Sequence, residues 1–379
     1  MSKTIALLLV LVFLAASTTV AINSVSAPTI NEDSWTIREA MPTARSGLGV
    51  AVINDKIFAI GGVGKLPSFD TNEEYDLAAD AWTTREPMLT PRGDFAIAVF
   101  QDKIYVFGGA IKAHQWDFEL TDANEVYDPA TDTWTAKASM PVPKAGFSAS
   151  VVDDKIYLIG GWTKSVTPGL GPLWVTSNET LVYDPNANSW TTKTPMPTGA
   201  VHYASAVVDN KIYVISGTSR AYSDNLLNYT QIYDPRTDTW SQGALIPAAV
   251  QQAAAGATTG VKAPKAIYVV GGFTGFYWPR NLTQVYYPET DTWSFGADMP
   301  TPLFSLGVAV VEDKLYAIGG SPFYLQPATN QNSQYTPIAN GVVPPPSEQF
   351  PTTVLLATIV TVTAIGVGLL VYLKKRKTS

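Results

Sequence analysis

The sequence predicts an all-β, six-bladed propeller closed by an N-terminal strand, with a C-terminal transmembrane helix after it. Three observations carry this expectation. A short strand ending in glycine recurs six times, and a Tyr and a Trp follow at fixed separation. The first Trp lacks a preceding Tyr, and the last Tyr lacks a following Trp.

The strand phrase reads KIFAIGG (Lys56–Gly62), KIYVFGG (Lys103–Gly109), KIYLIGG (Lys155–Gly161), KIYVISG (Lys211–Gly217), AIYVVGG (Ala266–Gly272) and KLYAIGG (Lys314–Gly320). Its glycines are Gly61 and Gly62, Gly108 and Gly109, Gly160 and Gly161, Gly217, Gly271 and Gly272, and Gly319 and Gly320. Without a Cβ, they let the chain turn through positive φ or pass close to a neighbour. Two-residue polar turns such as Asn54-Asp55 and Gln101-Asp102 precede the phrase and force an antiparallel first strand. The third strand ends at a Tyr and the fourth begins at a Trp seven residues on: Tyr75/Trp82, Tyr127/Trp134, Tyr183/Trp190, Tyr233/Trp240 and Tyr286/Trp293. Met41, Met140, Met196, Ile246 and Met299 each stand six residues after a Trp and before a Pro. A period near 50 residues means one structural unit per repeat. A lone four-stranded sheet cannot bury both faces, so the units stack and close into a ring. Trp35 then supplies the fourth strand of the blade that ends at Tyr335, joining the chain ends in one sheet.

The paired glycines and the Tyr–Trp step resemble the kelch motif. The resemblance covers roughly Ser34 to Ile338 and implies a six-bladed kelch β-propeller in which these residues are structural. The glycines follow a strand but lead into no helix, so they do not read as a phosphate loop. The Tyr and Trp side chains are expected to pack between blades.

The remaining segments are read from composition. Met1–Ala27 carries Lys3, an apolar run over Ile5–Ala16 and small residues up to Ala27, the pattern of a signal peptide. The alternative is an uncleaved membrane anchor. Residues 34–338 form the propeller and 339–351 a linker, where Val343-Pro-Pro-Pro346 favours an extended spacer. Thr352–Leu373 is apolar and uncharged, long enough for a membrane span, and residues 374–379 form a basic tail expected to stay cytoplasmic. Signal and anchor together put the propeller outside the cytoplasm, at the cell surface. A net charge of −7 argues against nucleic acid as a partner. Cysteine is absent, which excludes disulfides, thiolate metal sites and thiol nucleophiles.

Candidate binding residues lie on the face that carries the loops between second and third strands. Those loops vary from 13 to 22 residues between the second glycine and the Tyr. They hold Trp116, Trp162, Trp174, Tyr222, Tyr277, Trp278 and Tyr324, which read either as a recognition surface or as caps packed over the ring. Arg45, Arg92 and Lys144 occupy matching places just before the first strand of three repeats, where later repeats carry Ala200 and Leu303. They would hold a ligand carboxylate or pair with a neighbouring one; the second reading is preferred. Asp70, Asp122, Asn178, Asn228, Asn281 and Asn330 each stand five residues before a Tyr and suit a turn. Asn178, Asn228 and Asn281 also begin N-x-S/T sequons and are glycosylation candidates in an exported domain.

No catalytic residue, metal site or cofactor is predicted. Galactose oxidase-like propellers need a Cys and two His ligands, whereas the only histidines here are His114 and His202, in different settings. Sialic-acid epimerases of the secreted kelch type offer an alternative, with Arg45 and Arg92 on a sugar carboxylate and Glu119, Asp117 or His202 as proton carriers. The preferred reading is a membrane-anchored module that binds an extracellular protein or glycan.

Overall fold

The computed structural model describes residues 32–64, 68–114, 117–167, 171–220, 225–275, 278–323 and 326–339, without the side chains of 112–118 and 166–173. The signal segment, most of the linker and the Thr352–Leu373 span lie outside the described residues. Among the described residues no helix is long and apolar enough to cross a membrane.

Six four-stranded antiparallel sheets make up the ring. Blade 1 consists of Gly49–Ile53, Lys56–Ile60, Asn72–Asp76 and Ala81–Arg85. Blades 2 to 5 begin at Ala96, Ser148, Ala204 and Ala254 and repeat that order. Blade 6 takes three strands from Gly307–Val311, Lys314–Ile318 and Asn332–Thr336, and its fourth from Ser34–Ile37. Trp35 pairs opposite Tyr335, as the orphaned Trp and Tyr predict. The closure links residues about 300 apart in sequence, so the first and last blades cannot separate without breaking a sheet.

The turns have the expected chemistry. Asn54 and Asp55 take φ of 50° and 56°, and Gln101 and Asp102 take 48° and 55°. Two successive positive φ values make a type I′ turn, whose twist matches the strands it joins. Blade 5 has no such turn. A longer loop joins Ala254–Ala257 to Ile267–Val270, and the Asp313 carboxylate of blade 6 holds it, accepting from the N–H groups of Thr259, Val261, Lys262 and Ala263. From Trp240 to Gly271 the chain runs 31 residues, where the other repeats take 26 from Trp to the same place, and this five-residue excess becomes an inter-blade clasp.

Tyr and Trp act together at each blade junction. Tyr127 Oη donates to Asp132 Oδ1 at 2.6 Å, and that oxygen also accepts the Glu86 N–H of the preceding blade at 2.9 Å. Trp134 Nε1 donates to the Glu86 carbonyl at 2.8 Å. The same triple recurs in all six blades. Trp82 Nε1 reaches the Glu39 carbonyl, Trp190 that of Ala138, Trp240 that of Thr194 and Trp293 that of Ala244, at 2.9–3.1 Å. Tyr335 uses Asp33 and the Ala297 N–H, and Trp35 Nε1 reaches the Ala297 carbonyl. Each polar bond contributes about 1 kcal/mol and each stacked Tyr–Trp pair a similar amount.

Two sequence expectations for these residues are corrected. The fourth strand does not begin at the Trp. Trp82, Trp134, Trp190, Trp240 and Trp293 are second residues, after Ala81, Thr133, Ser189, Thr239 and Thr292. The third strand likewise runs one residue past its Tyr, because the pair that closes the hairpin, such as Asp76 opposite Ala81, lies one step beyond the Tyr–Trp pair. Packing between blades is also shared unequally. Tyr75, Tyr127, Tyr183, Tyr233 and Tyr286 are at most 1% exposed, whereas Trp82, Trp190 and Trp240 are only partly buried, and Trp134 and Trp293 are the two indoles that close over. The Trp stands on the outermost strand of its blade. It stacks on its own Tyr, with centroids 4.8–5.1 Å apart, and reaches the preceding blade with its N–H, which leaves part of the ring to water.

The Met or Ile after each Trp is buried, and its N–H bonds to the carbonyl of the Asp or Asn five residues before the Tyr, as in Met140 to Asp122 and Met41 to Asn330. Met88 fills this position after Trp82 of blade 1, bonding to the Asp70 carbonyl, without a following Pro.

The glycine pairs admit the neighbouring loop. A Cβ on Gly108 (φ 60°) would stand 2.6 Å from the Lys144 carbonyl oxygen. Blade 4 has Ser216 in that role, at φ 62°, and its hydroxyl accepts the Val250 N–H at 2.7 Å.

Candidate functional site

The loops between second and third strands and those between blades share one end of the ring. Bridges such as Ser46 to Val63 and Ala145 to Trp162 join the two loop sets. Short ribbons extend three of these loops: Ala110–His114 with Asp117–Leu120, Trp162–Thr167 with Gly171–Thr176, and Phe273–Thr274 with Trp278–Pro279.

Around the axis at this end runs a closed hoop of six backbone hydrogen bonds. Each blade contributes the residue two places after its Arg45-type position: Gly47, Asp94, Gly146, His202, Gln252 and Ser305. The N–H of each donates to the carbonyl of the one before, at 2.7–2.9 Å, and Gly47 returns to Ser305. All six have positive φ. This hoop bounds a cavity of about 140 Å³. Asp94 and His202 line it with Gln252 and Ser305, whose Oγ donates to Gln252 Oε1 at 2.7 Å. Glycine at 47 and 146 makes room for them, since a Cβ there would stand 2.7 Å from Asp94 Oδ1 or 2.8 Å from His202 Cδ2. Burial in the hoop pushes the Asp94 carboxyl up and the His202 imidazole down, and each charge opposes the other's shift. Sequence reasoning offered His202 as a candidate proton carrier but missed its companions on the hoop. Their available signal was a run of residues tolerant of positive φ at one repeat position.

The three cations are ion-paired. Arg45 meets Glu73 at 2.9 Å, Arg92 meets Glu125 at 2.9 Å, and all four side chains are at most 3% exposed. Lys144 meets Glu179 at 2.6 Å, and the Glu179 side chain is 47% exposed. Burial pushes the Arg92 guanidinium down to about 10 against the pull of Glu125. Arg45 Nη2 also donates to the Ala59 carbonyl, tying the inter-blade loop to its own second strand.

The loop aromatics divide. Trp162 is fully buried, edge-on to Trp174 at 4.7 Å and packed with Ala145 and Val201. It caps the ring because the bridge from Trp162 to Ala145 draws its ribbon onto the inter-blade loops. Trp278 is 65% exposed and Phe323 is 47% exposed, on the adjacent blades 5 and 6. Trp116, Tyr222, Tyr277 and Tyr324 lie outside the described residues, as do the side chains of His114 and Asp117. Glu119 is exposed on the blade 2 ribbon. Asn178 and Asn228 are exposed; Asn178 Nδ2 donates to the Met196 carbonyl at 3.1 Å. Among the described residues no group of three or more His, Asp or Glu side chains is placed to hold a metal ion.

Comparison with known proteins fits this geometry. The Attractin/LZTR1 β-propeller family model matches residues 120–338, more than half of the chain. The KLHDC2/KLHL20/DRC7 Kelch-repeats domain model matches residues 18–161. Kelch repeat and BTB domain-containing protein 12 of Homo sapiens is 30% identical over 162 residues, 41% of this chain and 26% of that protein. Kelch-like protein terF of Aspergillus terreus is 30% identical over 190 residues, 48% of this chain and 40% of that protein. Alpha-scruin of Limulus polyphemus is 26% identical over 202 residues, 52% of this chain and 21% of that protein. The chain thus spans less than half the length of each of these relatives. The solved structure of YjhT superposes with a TM-score of 0.67 at 16% identity, over 78% of this chain and 96% of that one, a likeness of fold.

Proposed function

Because the chain belongs to the kelch-repeat β-propeller family, we propose that it is a protein-interaction module that docks its partner on the loop-bearing end of the ring. The observation that carries this reading is the exposure of Trp278 and Phe323 on neighbouring blades. Large aromatics in water on a rigid scaffold are the residues that dominate interface energetics when covered. The sugar-carboxylate alternative draws less support, because Arg45 and Arg92 are buried on Glu73 and Glu125.

We further propose that the module is displayed outward at a cell surface, tethered by Thr352–Leu373 through the proline-rich linker, with an extracellular protein or a glycan as ligand. The support is the apolar spans at both ends of the sequence and the basic residues at its close. Glycosylation of Asn178, Asn228 and Asn281 belongs to the same proposal.

Capture of soluble extracellular proteins and a glycan array by the full chain test the binding reading. Trp278→Ala with Phe323→Ala should abolish capture and leave the melting temperature unchanged, while Ile37→Ala on the outer strand of blade 6 should leave capture intact. Capture that survives the double substitution overturns the assignment of the docking face. Protease added to intact cells should cut the propeller; cutting only after lysis overturns the outward display.

A further inference from the structure

We propose that the axial cavity inside the hydrogen-bonded hoop is a binding site for a small organic monocation, an alkylammonium held by the Asp94 carboxylate with its apolar part against the channel wall.

The Asp94 carboxyl is unpartnered. Among the described residues its side chain meets no hydrogen-bond donor and no Lys or Arg. The cations that stand two residues before a hoop position, Arg45, Arg92 and Lys144, are held by Glu73, Glu125 and Glu179. His202 is the other titratable group on the hoop. Burial lowers its pKa from 6.5, so it is neutral at pH 7 and supplies no standing counter-charge. Without a partner, a half-buried carboxyl is pushed toward its neutral form, and a ligand cation in the cavity would draw it into the charged one.

The surroundings suit a ligand with one charged end. Gln252, Ser305 and His202 line the polar rim, and Phe95 and Leu306 line the apolar part beside it. The first strands below carry half-buried Val50, Ile97 and Val308. A dry cavity of similar volume in another protein holds a benzene-sized guest. The cavity of about 140 Å³ therefore sets the ligand at roughly six heavy atoms. An anionic ligand would meet Asp94 with no free cation among the described residues of the hoop to balance it.

The placement also follows from the sequence. Blades 1 and 3 present glycine at the hoop, and the side chains of Asp94 and His202 lie over those glycines. The hoop is thus asymmetric, with bulk from four blades and space from two.

Titration calorimetry of the full chain with butylammonium, 1-butanol and butyrate tests the site. Butylammonium should bind, and the isosteric alcohol and acid should bind at least about tenfold more weakly, the difference expected for a charge-assisted contact. Asp94→Asn should weaken butylammonium by the same factor, because the amide cannot take the negative charge that holds the ammonium. If that variant does not fold, the His202 imidazole resonances of the unsubstituted protein carry the test, and they should shift on adding butylammonium. The proposal is overturned if butylammonium binds no better than 1-butanol, if Asp94→Asn binds it equally well, or if the His202 signals stay still.

Discussion

In blades 1 and 2 the slot ahead of the first strand holds Arg45 and Arg92, each buried on a glutamate two residues before the blade's Tyr. In blades 4, 5 and 6 the same slot holds Ala200, Val250 and Leu303, also fully buried. There the residue two before the Tyr is Gln231 in blade 4 and Gln284 in blade 5. Gln231 accepts the Thr198 N–H and donates to the Thr198 carbonyl, both at 2.9 Å. Gln284 does the same to Ala248, at 2.8 and 2.9 Å. Blades 1 and 2 thus tie the inter-blade loop to the third strand with charge, blades 4 and 5 tie it with an amide clamp, and blade 6, with Ser333 two before its Tyr, fills the slot with Leu303. The contrast shows that an amide makes the same tie that charge makes in the other blades. It also shows where the ring is brittle, since an ion pair broken inside protein leaves a charge behind and an amide does not.

Removing one partner of a buried pair should give the largest effect. Glu125→Ala strands the Arg92 guanidinium and should cost about 3–5 kcal/mol by chemical denaturation. Converting the site to the chemistry of the other half, with Arg92→Leu and Glu125→Gln together, should recover most of that loss, because the new amide then faces the Thr90 backbone. A double variant no better than Glu125→Ala would mean the charge itself is required. Next in size is Gln284→Ala, which leaves one N–H and one carbonyl of the loop unpaired. It should cost about 1–3 kcal/mol. A cost equal to that of Glu125→Ala would erase the difference between the halves.

The scaffold was legible because its chemistry repeats. Gly108 with Gly109, the Tyr127–Trp134 step and the orphaned Trp35 each mark a position whose backbone or packing admits few residue types. The repeat did not show how deeply each indole sits. Trp82 and Trp293 hold the same place in the motif, but their burial depends on the neighbouring blade, which varies around the ring. The site was less legible because its residues break the repeat. Asp94, His202, Gln252 and Ser305 share a conformation but no side-chain chemistry, and only the hoop brings them together across some 210 residues of sequence. The pairing of Arg45 was an open alternative in the sequence, since Glu73 is 28 positions away and only the strand register brings the two together. Trp162 and Trp278 look alike in sequence, both in a loop that follows a glycine pair. The bridge to Ala145 buries the first, while the second stands at the outer end of a two-residue ribbon strand.

Blade 3 sits between the two halves and should give the smallest effect. Lys144 has Ser177 Oγ at 2.9 Å as well as Glu179, and Glu179 is half exposed. Losing the glutamate therefore leaves the ammonium with an acceptor and with water near by, and Glu179→Gln should cost less than about 1 kcal/mol at pH 7. Its signature lies in the pH dependence. The hydrogen bond from Lys144 holds the Glu179 pKa below its ordinary value of 4.5, with burial opposing. A carboxylate whose folded pKa is depressed contributes its stability fully above the unfolded pKa and loses it as pH falls through the folded one. The melting-temperature difference between the unsubstituted protein and Glu179→Gln should therefore be constant above pH 5.5 and shrink as the pH drops below 4.5. A difference that persists unchanged to pH 3 would mean that the pair contributes through packing and not through charge, and would move blade 3 to the neutral half of the ring.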